Sequence, residues 1–379
     1  MQDLSFPSPM DTDASEALRA EVRQFVEEEL GHRGNYSYLG GHDPEFSQKV
    51  GRRGWIGMTW PKQYGGAERS VLERYVVAEE LLAARAPLGA HWVGDRQTGP
   101  LLLRYGTEAQ RQLILPGIVN GTLRLCIGMS EPDSGSDLAS VRTRADKVDG
   151  GFVVNGTKIW TSGAHKAHYM VLLCRTSPRS DARHEGLSQL LVDMRTPGIE
   201  CRQIESIAGD DSFNEVFFKD AFIPDDMLVG ELGQGWEQVT SELAFERAGP
   251  ERLLSTFGLL IELIDALGHT ASERATIAVG RLVSHLVALR RLSRSVATML
   301  QLGQIPALQA ALVKDLGTSL EQEICEVVRT LVVNEPDPGS HDLLANALAQ
   351  AILRAPSCSI RGGTREVLRG VIARGIGLR

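Results

Sequence analysis

Two short stretches carry the residue types that could hold a reactive group. The first runs Arg124-Leu-Cys-Ile-Gly-Met-Ser-Glu-Pro-Asp-Ser-Gly-Ser-Asp137, an apolar segment passing into a turn dense in Ser, Gly, Asp and Pro. Such a turn aims backbone N–H groups and hydroxyls into one concavity, which suits an anionic or polar ligand. The second, Trp160-Thr-Ser-Gly163, follows Asn155-Gly156, a hairpin-turn signal, and sets an indole beside two hydroxyls at a strand end. A flat ring bound there would need an apolar face and a few hydrogen bonds at its edge. Taken singly, each piece also reads as a polar loop or a buried Trp. Their order and spacing together are more specific.

Met129-Ser-Glu-Pro-Asp-Ser-Gly-Ser-Asp137 followed by Asn155-Gly-Thr-Lys-Ile-Trp-Thr-Ser-Gly163 resembles the paired signature of the acyl-CoA dehydrogenase family. The resemblance implies removal of a proton alpha to a thioester and of a hydride from the beta carbon to N5 of FAD. Electrons would then pass to an electron-transfer flavoprotein. That chemistry needs a carboxylate base, hydrogen bonds to the thioester oxygen and a flavin face over the beta carbon. By resemblance, Ser130 and the backbone from Ile127 to Met129 meet the pyrimidine end of the flavin. Trp160 packs over the ring, Thr161 follows it, and Ser162 bonds near N5. Ser136 lies near the pyrophosphate or the acyl-CoA. Family members often carry Thr where this chain has Ser130 and Ser162, and the hydroxyl is retained.

The base is placed by a departure. Ile360-Arg-Gly-Gly-Thr-Arg-Glu-Val-Leu-Arg369 resembles the closing motif of the family, but Gly362 stands where many members carry the catalytic Glu. Glycine cannot take a proton; its N–H can still polarise a thioester oxygen. Gly362 and Gly363 are therefore substrate-contact candidates, and Thr364 and Glu366 fall where members contact the flavin nucleotide. A second branch of the family carries its Glu on the first helix of the C-terminal bundle, just before an Arg. Leu243-Ala-Phe-Glu-Arg-Ala-Gly-Pro-Glu-Arg252 matches that branch at Glu246-Arg247. Glu246 is the expected base, with Glu242 and Glu251 as alternatives, and Arg247 is expected to hold the acyl-CoA or nearby backbone. As a bare pattern without the motif, Glu246 reads as a glutamate on a solvated helix face. The small residues Ala244, Ala248 and Gly249 fit either room for a bulky acyl group or plain helix packing.

Two family features are missing. Neither the Arg-x-x-Phe-Gly motif of the second bundle helix nor the Gln…Gly-Gly segment before the last helix occurs; the chain reads Thr270-Ala-Ser-Glu-Arg-Ala-Thr-Ile-Ala-Val-Gly-Arg281 and Val328-Arg-Thr-Leu-Val-Val-Asn334. Both reach a neighbouring subunit's FAD in the family. Arg274 is a substitute for the missing Arg. The expected assembly is a homodimer or homotetramer, or a heterotetramer in which a related subunit supplies that side. The function expected is acyl-CoA dehydrogenation in fatty-acid or sterol side-chain breakdown. A non-catalytic partner subunit and an acyl-CoA oxidase of the same fold are the alternatives.

The elements that must position these residues follow from periodicity. Residues 13–30 place Leu18, Val22, Phe25, Val26 and Leu30 on one helical stripe, with Asp13 as cap and Gly31 as stop. Asp43-Pro44 opens a second helix. The two-Trp loop Gly54–Gly66 reads as helix-packing turns. Helices follow over 68–84 and 101–121, the latter interrupted at Leu115-Pro116. Short β-rich runs cover 143–148, 152–155, 169–175, 188–193 and 214–218, with turns at Asp149-Gly-Gly, Asn155-Gly, Thr196-Pro-Gly and Pro224-Asp-Asp. From Trp236 the pattern is helical again, broken near 268, 303 and 334–340. The expected fold is α+β: an N-terminal helical domain (1–122), a middle antiparallel β-barrel or sandwich (123–235) and a C-terminal four-helix bundle (236–379).

Composition excludes other classes. With 379 residues, 42% hydrophobic and 23% charged, the chain suits two or three packed domains. A net charge of -8 argues against nucleic acid as the main partner. The five cysteines, 126, 174, 201, 325 and 358, lack metal-ligand spacing and read as reduced thiols of a cytoplasmic protein; no metal is expected. The start Met1-Gln-Asp-Leu-Ser-Phe-Pro lacks the basic and apolar regions of a secretory signal, and no segment suits a membrane span.

Overall fold

The computed structural model describes residues 4–10, 13–31, 41–179, 181–210, 212–333 and 335–378. The side chains of 13, 14 and 242–246 lie outside the described set, so the Asp13 cap does too. The chain divides into two compact units: Met1–Phe46, Arg69–Gly89 and Ala244–Arg379 form unit 1; Ser47–Glu68 and Ala90–Leu243 form unit 2.

Unit 2 is organised on one eight-stranded sheet. Its strands are β1 (Leu125–Gly128), β2 (Arg144–Val148), β3 (Gly151–Ser162), β4 (Tyr169–Arg175), β5 (Leu187–Asp193), β6 (Ile199–Ile204), β7 (Phe213–Pro224) and β8 (Leu228–Val229). They run in the order β6-β7-β3-β2-β4-β5-β8, with β1 added to β4. Most pairs are antiparallel, but β1 and β2 both pair with β4 in parallel, so the purely antiparallel expectation is corrected to a mixed sheet. Alternation along β3 and its neighbours turns Phe152, Val154, Met170, Leu172, Leu190, Val192, Val216 and Phe218 into one buried cluster.

The turn expected at Asn155-Gly156 is absent. β3 runs through it, and the β2–β3 turn falls at Asp149-Gly150, with Val148 paired to Gly151 and Gly150 at φ 78°. Asn155 instead exchanges hydrogen bonds with Asp220, at 3.1 and 3.0 Å, beside a bulge of the β3–β7 pair. A Cβ on Gly156 would stand 2.7 Å from the Thr143 Cα, so glycine serves a close crossing there rather than a reversal.

Unit 2 also holds α4 (Gly99–Tyr105) and α5 (Glu108–Val119). α5 continues through Pro116, which corrects the expected interruption. The two-Trp loop packs as expected: Trp55 and Trp60 are buried, and a Cβ on Gly99 would touch the Trp60 ring at 2.0 Å.

In unit 1, α1 (Asp13–Leu30) buries Leu18, Val22 and Phe25 and ends at Gly31, φ 66°. α2 (Pro44–Arg52), which begins in unit 1, is capped by Asp43, whose carboxylate accepts from Glu45 N and Phe46 N at 2.9 Å. α3 (Val71–Ala83) starts on a Ser70/Glu73 capping box. Beyond α6 (Gly235–Glu246) come α7 (Phe257–Leu267), α8 (Glu273–Gln301), α9 (Ala307–Leu331), α10 (Leu343–Cys358) and α11 (Arg365–Gly375). The apolar core of this region is shared by α7 to α10 through Leu263, Leu282, Ile324 and Leu348, a four-helix arrangement. α6 precedes it and α11 packs on α9. Among the described residues, no helix is long and apolar enough to cross a membrane.

Candidate active site

The segment expected to bind the ring lies on β3. Period-two alternation sends Phe152, Val154 and Lys158 inward. Between Lys158 and Thr161 the register against β7 shifts by one residue. Trp160 absorbs the shift at φ 58°, a region that a bulky aromatic residue rarely occupies. The result is an indole 57% exposed, with Phe213 edge-on at 5.9 Å. That removes the reading of Trp160 as an ordinary buried core residue. Ser162 beyond it is exposed, while Thr161 is buried and its hydroxyl has no hydrogen-bond partner. Asn214 fixes the strand past the bulge, donating to the Thr161 carbonyl at 3.0 Å and pairing with His165 Nδ1 at 2.8 Å.

The Ser/Gly turn lies alongside. Ile127, Met129 and Ser130 are half-buried, and the Ser130 carbonyl accepts from Ile159 N at 2.9 Å. Ser136 is exposed, and a Cβ on Gly135 would meet nothing within 4 Å. The turn is closed by Glu131 and Ser134, whose backbones exchange hydrogen bonds, and by Ser134 Oγ on the Asp137 carbonyl at 2.6 Å. An exposed indole, neighbouring hydroxyls and one orphaned buried hydroxyl suit a flat ring with a polar edge.

Sequence reasoning missed what holds the turn. The Lys158 side chain is fully buried, and its Nζ donates to the Met129 carbonyl at 2.9 Å and to Glu131 at 2.8 Å. Glu131 also accepts from Arg142 N at 2.6 Å and Thr143 N at 2.8 Å. Burial pushes the Glu131 carboxyl up, but Lys158 and these donors outweigh it and hold it below its ordinary value. The signal was available: a lysine on the inward parity of an otherwise apolar strand.

The other candidates lie at the end of α6 and on the closing turn before α11. Glu246 is the last residue of α6; its side chain, like that of Glu242, lies outside the described set. Arg247 follows, and its Nε donates to the Gly362 carbonyl at 3.3 Å. A Cβ on Gly363 would stand 3.4 Å from the Arg247 guanidinium, so Arg247, Gly362 and Gly363 are brought together. Gly362 and Gly363 sit at φ 67° and 97°, conformations that favour glycine. Thr364 caps α11, accepting from Val367 N at 3.3 Å, and Glu366 is exposed in the first turn. Glu251 is 3% exposed and ion-paired to Arg252 at 3.3 Å.

Helix α9 pins this closing turn, which the sequence reading also missed. Lys314 Nζ donates to the Cys358 carbonyl at 2.7 Å, Arg361 bonds Ser255 at 2.7 Å and Glu321 at 3.1 Å, and Arg365 pairs with Asp315 at 2.9 Å. Burial, helped by Arg252 and Arg361, pushes the Lys314 ammonium down to about 8. Arg274 lies on α8 and donates to the Thr330 carbonyl at 3.4 Å; it lines an open cleft with Ile277, Arg281 and Glu323.

Comparison with known proteins agrees with this architecture. The model of the acyl-CoA dehydrogenase N-terminal domain matches residues 12–122, and that of the middle domain matches residues 126–221. The chain is 34% identical to acyl-CoA dehydrogenase IpdE1 of Mycobacterium tuberculosis, over 94% of this chain and 96% of that protein. It is 36% identical to FadE34 of the same organism, over 84% of this chain but 44% of that longer protein. A solved structure described as the Tcur3481-Tcur3483 steroid ACAD superposes with a TM-score of 0.85 at 29% identity, covering 97% of this chain and 98% of that one. The ChsE4-ChsE5 complex from Mycobacterium tuberculosis gives 0.80 at 29% identity, with 97% and 98% coverage. On both domain matches and the near full-length relative, this chain belongs to the acyl-CoA dehydrogenase family and is an oxidoreductase acting on acyl-CoA.

Proposed function

We propose that the chain catalyses FAD-dependent alpha,beta-dehydrogenation of an acyl-CoA thioester, in the cytoplasm, with electrons passing to an electron-transfer flavoprotein. The observation that carries this is the Trp160 indole, 57% exposed at φ 58° beside Ser162 and the Ser130 turn. FAD, when bound, supplies the hydride acceptor for the beta carbon. Ile127, Met129, Ser130, Trp160, Thr161 and Ser162 would hold its ring, and Thr364 and Glu366 its nucleotide. Ser136 would hold the pyrophosphate or the acyl-CoA.

Glu246 takes the alpha proton as that C–H bond breaks, and with the beta hydride given up to the acceptor the two electrons of the alpha C–H bond become the double bond between the alpha and beta carbons. The N–H of Gly362 donates to the thioester oxygen as negative charge develops there, a role that needs no side chain. Arg247 holds the same turn through the Gly362 carbonyl, and Gly363 leaves space beside it. The division at residues 122 and 235 into helical, β and helical domains is part of this reading.

A second reading concerns assembly. The Arg-x-x-Phe-Gly motif is absent from 270–281, and two neighbours at 29% identity are described as paired proteins. A heterotetramer with a related subunit is therefore proposed over a homodimer or homotetramer.

The test is anaerobic flavin bleaching with straight-chain, branched and sterol side-chain acyl-CoAs, comparing wild type with Glu246→Gln. Loss of the base is expected to slow bleaching by about 10²- to 10⁴-fold while FAD stays bound. Equal bleaching in both proteins would remove Glu246 as the base.

A further inference from the structure

We infer that Lys158 and Glu131 are positioning residues of the ring-binding half of the site: their buried pair locks the Met129–Ser130 turn onto β3 in register with the exposed Trp160. This rests on the flavin reading above and adds to it the residues that pre-form the half-site.

The geometry has three parts. Lys158 Nζ reaches both the Met129 carbonyl, at 2.9 Å, and Glu131, at 2.8 Å, so one cation clamps two residues flanking Ser130. Ile159 N closes the same contact through the Ser130 carbonyl at 2.9 Å. Glu131 in turn takes Arg142 N and Thr143 N at 2.6 and 2.8 Å, tying the turn to the entry of β2. Trp160 is two residues beyond Lys158 across the bulge, so the residue that faces inward sets the place where its neighbour faces out.

Stability alone does not explain this arrangement. A fully buried ion pair costs heavy desolvation, and apolar residues of similar volume are often as stable or more so. What apolar residues cannot supply is a donor to the Met129 carbonyl and an acceptor for two backbone N–H groups. The pair is therefore suited to fixing the turn's conformation rather than to adding net stability.

The experiment measures FAD affinity and the visible spectrum of bound FAD by titrating FAD-stripped protein with FAD. The proteins are wild type, the double variant Lys158→Met/Glu131→Leu, and Val154→Ala, which weakens the β3 core without touching the turn. The double variant is expected to melt near wild type yet bind FAD at least about tenfold more weakly, since charge-assisted hydrogen bonds that shape the turn are gone. Its bound FAD should also show a shifted absorbance band. Val154→Ala should melt lower but keep wild-type affinity. A double variant with affinity within about twofold of wild type and an unshifted band would overturn the assignment. If the double variant does not fold, Glu131→Gln decides by the same criteria. The titrations are made on the chain assembled with its related subunit, and a folded wild-type assembly that binds no FAD would instead sink the flavin reading, and this assignment with it.

Discussion

The two units hold their site turns by different means. In unit 2 the turn at Met129–Glu131 is closed by a lysine–glutamate pair with almost no exposure, 0% and 7% for the side chains. In unit 1 the turn at Ser359–Thr364 is held from its rim by Arg247 on the Gly362 carbonyl and by Arg361 and Arg365 on the acids of α9, while the buried Lys314 holds the Cys358 carbonyl just before it. Burial makes the first closure rigid, because a charge left alone there has no solvent to turn to. The second spreads its load over partly exposed arginines, of which Arg361 also bonds Ser255 and Arg365 also bonds Ser319. Under the proposed function, the candidate ring-binding surface would benefit from the first kind, and the candidate substrate-contacting glycine turn would rely on the second.

Breaking each closure should give unequal losses. Lys158→Ala strands Glu131 in the β3 core and is expected to cost about 3–5 kcal/mol. Glu321→Ala strands Arg361, which is 21% exposed and keeps Ser255, and is expected to cost about 1–3 kcal/mol. Urea unfolding of the two variants against wild type ranks them, and equal losses would erase the distinction drawn here.

A smaller effect sharpens the unit 1 side. Gly362→Ala places a Cβ at φ 67° and should lose about 1–2 kcal/mol by thermal melting. Gly370→Ala, inside α11 with open space around it, should instead gain up to about 1 kcal/mol. A neutral result at Gly362 would mean that the rim contacts do not impose its conformation.

The pH dependence of stability gives a further test. Lys314 is pushed down to about 8 from 10.5, so the unfolded chain binds the proton more strongly in that window. Its contribution to stability is full above 10.5 and is lost as pH falls through about 8. The difference in melting temperature between wild type and Lys314→Met should move in favour of wild type from pH 8 to 10 and stay level from pH 6 to 8. The depressed Glu131 carboxyl acts at the other end. Its stabilisation is full above about pH 4.5 and is lost as pH falls through its folded value, so Glu131→Gln should flatten the acid limb of the melting curve.

Much of this was legible in the chain itself. The α1 stripe, the Asp43-Pro44 start, β4 and the helical return at Trp236 follow from local periodicity and caps, which need no distant partner. Asn155-Gly156 was misleading because a favoured turn dipeptide also suits a bulge, and the close approach of Thr143 decided between them. The short β1 and β8 escaped notice because strands of four and two residues show little alternation, and β6 because Glu200, Arg202 and Gln203 make it largely polar.

The sequence by itself determined the α+β class and the family, and it supplied the candidate ring-binding residues, because motifs and periods are written locally. Only the tertiary structure decided that Trp160 is exposed, that Lys158 meets Glu131 across 27 residues, and that Arg247 meets Gly362 across 115. Those outcomes depend on sheet register and helix packing, which bring together charges and carbonyls that no local pattern pairs.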